Sequence, residues 1–285
     1  MTRRGSPSKS NEFLLTVDRL SRRFGGLDAL KEVSFQVRRH ETYGLIGPNG
    51  AGKTTLFNLV TGVLPATGGT IRFKGHEITN MAAEGITRLG VARTFQNIRL
   101  FKSMTVWESV VVAQNLRLHS WVHHVIPFRT RREKAFHETA EDLLRRFGLW
   151  EKKDERCSDL AYADQRRVEI ARALATEPDL ILLDEPTAGM TEREIEEFVD
   201  RTQELVQEQG KTILLIEHNM KVAMGCCGRL AVLNYGEKIA EGTPEEVQAN
   251  PAVIDAYLGS AQALQWAEGH LASTEREPGA PYTVP

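Results

Sequence analysis

From Phe13 onward the chain sets apolar against polar positions in two distinct rhythms. Leu14 to Leu20 and Val33 to Val37 alternate, which predicts two half-exposed strands. Tyr43 to Ile46 is continuously apolar and predicts a buried strand, and Leu56 to Val63 predicts the helix after it. Gly68-Gly69 turns the chain into a short strand, Thr70 to Phe73, and Ile86 to Phe95 leads to Gln96. From Met104 the period becomes helical, with helices expected over Thr105 to Leu118 and Arg131 to Phe147. Leu180 to Leu183 is wholly apolar, as a parallel strand covered on both faces would be. Strands follow at Thr212 to Ile216, Arg229 to Leu233 and Lys238 to Glu241. Two helices, Pro244 to Gln248 and Pro251 to Leu258, each carry proline in the first turn, where its missing N–H costs nothing. The polar, basic stretch 1–12 is expected to be a disordered tail. Residues 260–285 lack periodicity and are expected to be weakly ordered, with helix at most over Ala261 to Leu271.

Composition changes this picture little. Lys plus Arg number 36 against 38 Asp plus Glu, a net charge of −2, which disfavours a nucleic-acid surface spread over the whole molecule. Three cysteines, Cys157, Cys226 and Cys227, form neither a disulfide framework nor a zinc pattern, and point to a reducing compartment. No apolar run approaches the roughly 18 residues that span a bilayer, and the first residues have no apolar core of a secretory signal. His119, His123 and His124 sit in the connection 120–127 or beside it without carboxylate or cysteine company, so that segment is read as a polar loop and not a metal site.

The chemistry concentrates where strands end. Gly47-Pro48-Asn49-Gly50-Ala51-Gly52-Lys53-Thr54-Thr55 lies between the Tyr43–Ile46 strand and a helix, the order a phosphate-binding loop requires. Its glycines let backbone N–H groups turn toward one phosphate, and the helix adds its positive end. Lys53 can reach β- and γ-phosphates, and the Thr54 hydroxyl can ligate Mg²⁺. Asp184-Glu185 closes the second buried strand. There Asp184 would hold Mg²⁺ and Glu185 would polarise a water for attack on the γ-phosphate. An Asp-Glu turn after a strand is common by itself; together with the phosphate loop it is not. His218 ends the Thr212–Ile216 strand after Glu217, beside the same expected phosphate. Phe24 could stack on an adenine or simply fill a core.

These stretches, in this order over Phe13 to Gly259, resemble the ATPase subunit of ABC transporters. Within that superfamily the chain is most similar to the cassettes of branched-chain (hydrophobic) amino acid importers. Three stretches carry this: 22–27 (RRFGGL), 93–101 (RTFQNIRLF) and 165–174 (QRRVEIARAL). Glu241 to Val247 and Ala256 to Gly259 agree with them. The connection 120–128 looks like an insertion seen in one of that system's two ATPase subunits. The resemblance implies an α/β, RecA-like P-loop fold with a mostly parallel sheet, a small antiparallel β portion and an inserted helical subdomain at about 101–164, within one ATPase domain over 13–259. It implies ATP and Mg²⁺ as ligands, Phe24 as the aromatic on adenine, Gln96 as a contact to Mg²⁺ or water, Glu185 as base and His218 as switch histidine. It also implies two integral-membrane permeases, a second ATPase subunit in a heterodimer or homodimer, a periplasmic binding protein acting indirectly, no nucleic acid, and a peripheral place on the cytoplasmic face of the inner membrane.

One motif departs from the family pattern. Where the superfamily has LSGGQ, this chain has Leu160-Ala161-Tyr162-Ala163-Asp164. Ala161 offers no hydroxyl to a partner's γ-phosphate, and Ala163 stands where a glycine lets backbone approach it. A helix is expected to begin near Asp164, which would cap it or meet a ribose. The loop Thr187 to Thr191 also lacks the family's usual Asp. Two other readings differ in what they need. A soluble ABC ATPase of a non-transport complex usually has two cassettes, long coiled coils or a basic surface, and an amide or urea importer would share this cassette but not the permease. A nucleotide-gated binding protein without turnover is disfavoured by intact Lys53, Asp184, Glu185 and His218. A P-loop kinase or GTPase gives no reason for Gln96, the signature-like loop and His218 to occur together.

Overall fold

The computed structural model describes residues 12–114 and 131–258. The connection 120–127 with its histidines and nearly all of both tails lie outside the described residues.

The chain begins with an antiparallel hairpin, β1 (Phe13–Phe24) and β2 (Leu27–Arg38). Both strands run further than the alternation predicts and meet at Gly25-Gly26. Residues 21–24 are polar or exposed, so burial gives no periodic mark; cross-strand pairing holds them, with Arg23 bonded to Asp28 at 2.5 Å. Next come β3 (Thr42–Ile46), α1 (Lys53–Val60), β4 (Gly68–Phe73) and β5 (His76–Glu77). Helix α1 starts and stops three residues before its expected bounds. Gly52 at φ 104° is its N-cap, and the chain leaves the helix through Thr61 and Gly62, the latter at φ 69°. Gly68-Gly69 is part of β4 itself, not a turn before it.

Then follow α2 (Ala83–Arg88), β6 (Val91–Arg93), α3 (Val106–Ala113), α4 (Arg131–Arg146) and α5 (Tyr162–Leu174). Thr105 and Glu108 form a reciprocal capping box, so Thr105 precedes α3 instead of opening it. Helix α5 begins at Tyr162, two residues before the expected start, with Ala161 as an N-cap that offers no side-chain acceptor. The remainder is β7 (Leu180–Asp184), α6 (Glu192–Gln207), β8 (Thr212–Ile216), α7 (Met220–Cys226), β9 (Arg229–Asn234), β10 (Glu237–Gly242), α8 (Pro244–Gln248) and α9 (Pro251–Leu258).

Two sheets result. A four-stranded antiparallel sheet has the order β2-β1-β4-β5, and a six-stranded sheet the order β10-β9-β3-β8-β7-β6, parallel except at β10. Alternate residues of β7 serve different cores. Leu180 and Leu182 pack with α1 and the antiparallel sheet, whereas Ile181 and Leu183 pack with the helices α3 to α7. A strand covered on both faces has no polar side to show, which is why its sequence reads as an unbroken apolar run. The parallel register places the C-terminal ends of β3, β8 and β7 side by side, with Leu45 and Asp184 both opposite Ile216. The phosphate loop, Asp184-Glu185 and Glu217-His218 therefore emerge at one edge of the sheet, where open α/β sheets bind ligands.

Candidate nucleotide-binding site

A cleft of about 640 Å³ opens at this edge. It is lined by Phe24, residues 49–55 of the phosphate loop, Gln96, Glu185 and the tip of the β9–β10 hairpin, among others. At two glycines the loop leaves no room for a side chain. A Cβ on Gly47 (φ 147°) would lie 2.1 Å from the Leu233 carbonyl oxygen, and one on Gly52 (φ 104°) 2.7 Å from that of Ala29. Gly47 and Pro48 are not among the lining residues.

Lys53 is 6% exposed. Its ammonium donates to the carbonyls of Gly47 (2.6 Å) and Pro48 (3.0 Å), so the loop itself solvates the charge. Burial lowers its pKa, and Glu185 and Asp184 act against that shift. Thr54 stands exposed in the first turn of α1, on the cleft wall.

Asp184 is buried, and its Oδ2 accepts from Arg93 Nη2 at 2.9 Å. Burial pushes its pKa up, with the Arg93 guanidinium opposing. Its other oxygen, Oδ1, is buried and has no hydrogen-bond partner. A buried carboxylate oxygen without a donor is costly, and a hydrated divalent cation would satisfy it. The donor set of a hydroxyl, a carboxylate and a side-chain amide oxygen suits Mg²⁺, a hard cation that favours oxygen ligands.

Glu185 takes φ 47°, a left-handed conformation held by its N–H donating to Ile216 O (3.0 Å). Pro186 follows and disfavours the helical alternative. Such strain persists where surrounding structure over-determines it, commonly at functional sites. Here it aims the carboxylate between two partners: Gln96 Nε2 donates to Oε2 at 3.0 Å, and His218 Nδ1 lies 3.8 Å from the same oxygen.

The four residues 161–164 do not line this cleft. They form the start of α5, with Tyr162 half exposed. Asp164 neither caps that helix nor faces outward to a ribose. It is 8% exposed and bonded to Lys152 at 2.5 Å, with Arg167 at 3.4 Å. Its position within the first turn rules out the N-cap role, and the two cations draw it inward.

Three groups escape sequence reasoning. Arg93 sits 6% exposed at its side chain, donates to Asn58, Thr61 and Asp184, and stacks between the rings of Phe57 and Phe95. Glu217 is fully buried and accepts from the backbone of Thr187, His218 and Asn219 and from the Thr187 hydroxyl. Desolvation raises its pKa, and those donors oppose the shift. It thereby ties the loop after β7 to the loop after β8. Arg166 and Glu169, both fully buried at their side chains, clamp the stretch before and after Gln96: Arg166 donates to Phe95 O (2.6 Å) and Gln96 O (2.8 Å), and Glu169 accepts from the N–H groups of Phe95 and Arg99. The available signal was a charge inside an otherwise apolar period, as at Arg93 after Val91-Ala92.

A parallel sheet that brings a glycine-rich phosphate loop, the buried Asp184, the partly exposed Glu185 and His218 to one edge has the architecture of a P-loop nucleotide-binding protein. The ABC transporter family model matches residues 30–188, and the chain belongs to that family. A second model, described as branched-chain amino acid ATP-binding cassette transporter, matches residues 237–263. The chain is 46% identical over 252 residues to the high-affinity branched-chain amino acid transport ATP-binding protein LivG of Salmonella typhimurium, covering 87% of this chain and 98% of the relative. It is 43% identical over 252 residues, with the same coverage of each chain, to BraF of Pseudomonas aeruginosa, which carries the same description. Among solved structures, the ADP conformation of MJ1267, an ATP-binding cassette of an ABC transporter, superposes with a TM-score of 0.76 at 31% identity, over 87% of this chain and 99% of that one. The chain is thus an ATPase cassette. Among the described residues no helix is long and apolar enough to cross a membrane.

Proposed function

We propose that this chain powers the uptake of branched-chain or other hydrophobic amino acids by binding and hydrolysing ATP beneath two membrane permease subunits. The observation that carries this is the match to the importer cassettes along almost their whole length, including the C-terminal stretch 237–263. The geometry of the cleft supports the following residue roles. Backbone N–H groups of residues 49–55 and Lys53 hold the β- and γ-phosphates, and Phe24 supports the base. Thr54, Gln96 and the free Oδ1 of Asp184 would hold Mg²⁺, which would supply positive charge against the phosphates. Glu185 takes the proton of the attacking water. Gln96 orients that carboxylate, and His218 stands beside it for the γ-phosphate.

The start of α5 serves a second cassette's nucleotide, since it lies outside this chain's own cleft. Without a hydroxyl at Ala161 or a glycine at Ala163 it is a poorer phosphate ligand, and Asp164 is turned away. This favours a heterodimer in which a different ATPase subunit supplies the competent signature to the cleft described above. The complex then sits on the cytoplasmic face of the inner membrane, fed by a periplasmic binding protein. The test is mass spectrometry of what co-purifies with the tagged full chain from membranes in mild detergent. Two permeases and a second cassette are expected. A soluble complex with ribosomal or DNA-repair proteins would overturn the transport reading and leave the ATPase intact.

A further inference from the structure

Six large hydrophobic side chains stand exposed among the described residues: Phe24, Leu27, Val63, Phe101, Tyr162 and Tyr235. Half of them, Phe24, Leu27 and Tyr235, line the cleft that contains residues of the phosphate loop. Exposed apolar groups collected in a concave site mark a ligand surface more than chance scatter does. The turn between β1 and β2 supplies the first two. Tyr235 comes from the opposite end of the chain, at the tip of the β9–β10 hairpin, and at 80% is the most exposed of the six.

Folding gives no reason for a tyrosine there. The two-residue turn requires positive φ at both central positions, and Tyr235 and Gly236 have 47° and 82°. Asn or Gly enters that region at little cost, and an aromatic side chain does not. At 80% exposure the residue recovers little through burial. The tip beneath it is nevertheless held firmly. Gly236 N–H donates to Ala51 O of the phosphate loop at 3.0 Å, and Gly236 O accepts from Lys31 N–H of β2 at 2.8 Å. A Cβ on Gly236 would come 2.8 Å from the Ala29 carbonyl oxygen. An exposed aromatic in a disfavoured conformation is thus carried on a tip fixed to the phosphate loop.

We propose that Tyr235 contacts the nucleoside of the bound nucleotide, so that its ring and Leu27 complete the apolar wall that Phe24 begins. The chemistry is stacking or edge contact with a purine or its ribose, while the phosphates are held elsewhere in the cleft. This rests on the reading of the cleft as the ATP site. Phe24 is already backed on one side by Arg22, whose guanidinium lies 4.4 Å from the ring centroid and whose Nη1 is anchored on Pro65 O at 2.7 Å. A second contact from another element gives the site selectivity for a nucleoside over a bare phosphate chain.

The experiment measures binding of ATP and of inorganic tripolyphosphate to the full chain by calorimetry, with thermal melting of the nucleotide-free protein. Tyr235→Asn is expected to weaken ATP roughly 5- to 150-fold, the range of losing one aromatic contact to a base, while tripolyphosphate binding stays within twofold. Its melting temperature is expected to hold or rise, because Asn relaxes the turn. Tyr235→Phe keeps the ring and is expected to restore ATP affinity. Unchanged ATP affinity in Tyr235→Asn overturns the proposal, as does an equal loss for tripolyphosphate or a lowered melting temperature. A wild-type chain that binds tripolyphosphate and ATP equally overturns it too. A wild-type chain that binds neither removes the reading of the cleft itself.

Discussion

Replacing Arg93 with methionine removes one partner of a buried ion pair and keeps most of the side chain's volume. Arg93 and Asp184 are 6% and 2% exposed at their side chains and 2.9 Å apart. Breaking such a pair leaves an uncompensated buried charge, which costs about 3–5 kcal/mol. For a domain of this size about 2–4 °C is lost per kcal/mol, so the melting temperature should fall by about 6–20 °C. The sign of the pH dependence follows from Asp184. Its pKa is raised in the fold by burial, and the guanidinium restrains that rise. A carboxyl raised in the fold stabilises fully below its unfolded value, and that stability is lost as pH rises through the folded value. Without Arg93 the folded value climbs further, so the loss continues to higher pH. The gap between wild type and Arg93→Met should widen from acid toward neutral pH. Asp184→Asn in the Arg93→Met background should recover stability, because no charge is then left unpaired. The assay is urea denaturation of wild type, both single variants and the double variant from acid to neutral pH. Additive single effects, or a gap independent of pH, would refute the argument.

Glu185→Gln should lower ATP hydrolysis by about 10²-fold or more while ATP binding persists; retained turnover would remove Glu185 from the role of base. Glu217→Ala strands the donors of Thr187, His218 and Asn219, and steady-state kinetics should show kcat lower by about 10- to 10²-fold with KM for ATP little changed. Ala161→Ser with Ala163→Gly should raise transport-coupled ATPase in the assembled complex by about tenfold, and no change would count against the weakness of the native signature. Burial pushes the Cys226 thiol up to about 12 and that of Cys227 well above its ordinary value. A thiolate-selective reagent at about pH 8 should therefore label neither in the folded chain and both after denaturation, as seen by intact mass.

The strands that carry phosphate chemistry were legible because each is buried on both faces and ends in a polar motif. Thr42–Ile46, Leu180–Asp184 and Thr212–Ile216 fall within a residue of their expected bounds. The hairpin extension over 21–24 was not legible, since exposed pairing leaves no apolar period. The start of α5 was misplaced because Ala161 is a poor cap and Asp164 resembles a good one. Only the packing with Lys152 and Arg167 shows where Asp164 goes.

Local sequence thus determined the phosphate loop, the buried strands beside it, and Asp184, Glu185 and His218 at their ends, because backbone geometry and burial act within a few residues. Tertiary structure decided the electrostatics around them. Arg93 reaches Asp184 across 91 residues, Arg166 reaches Gln96 across 70, and Thr187 reaches Glu217 across 30. A buried charge must find its partner in three dimensions, and nothing in the periodicity of either segment says which partner that is.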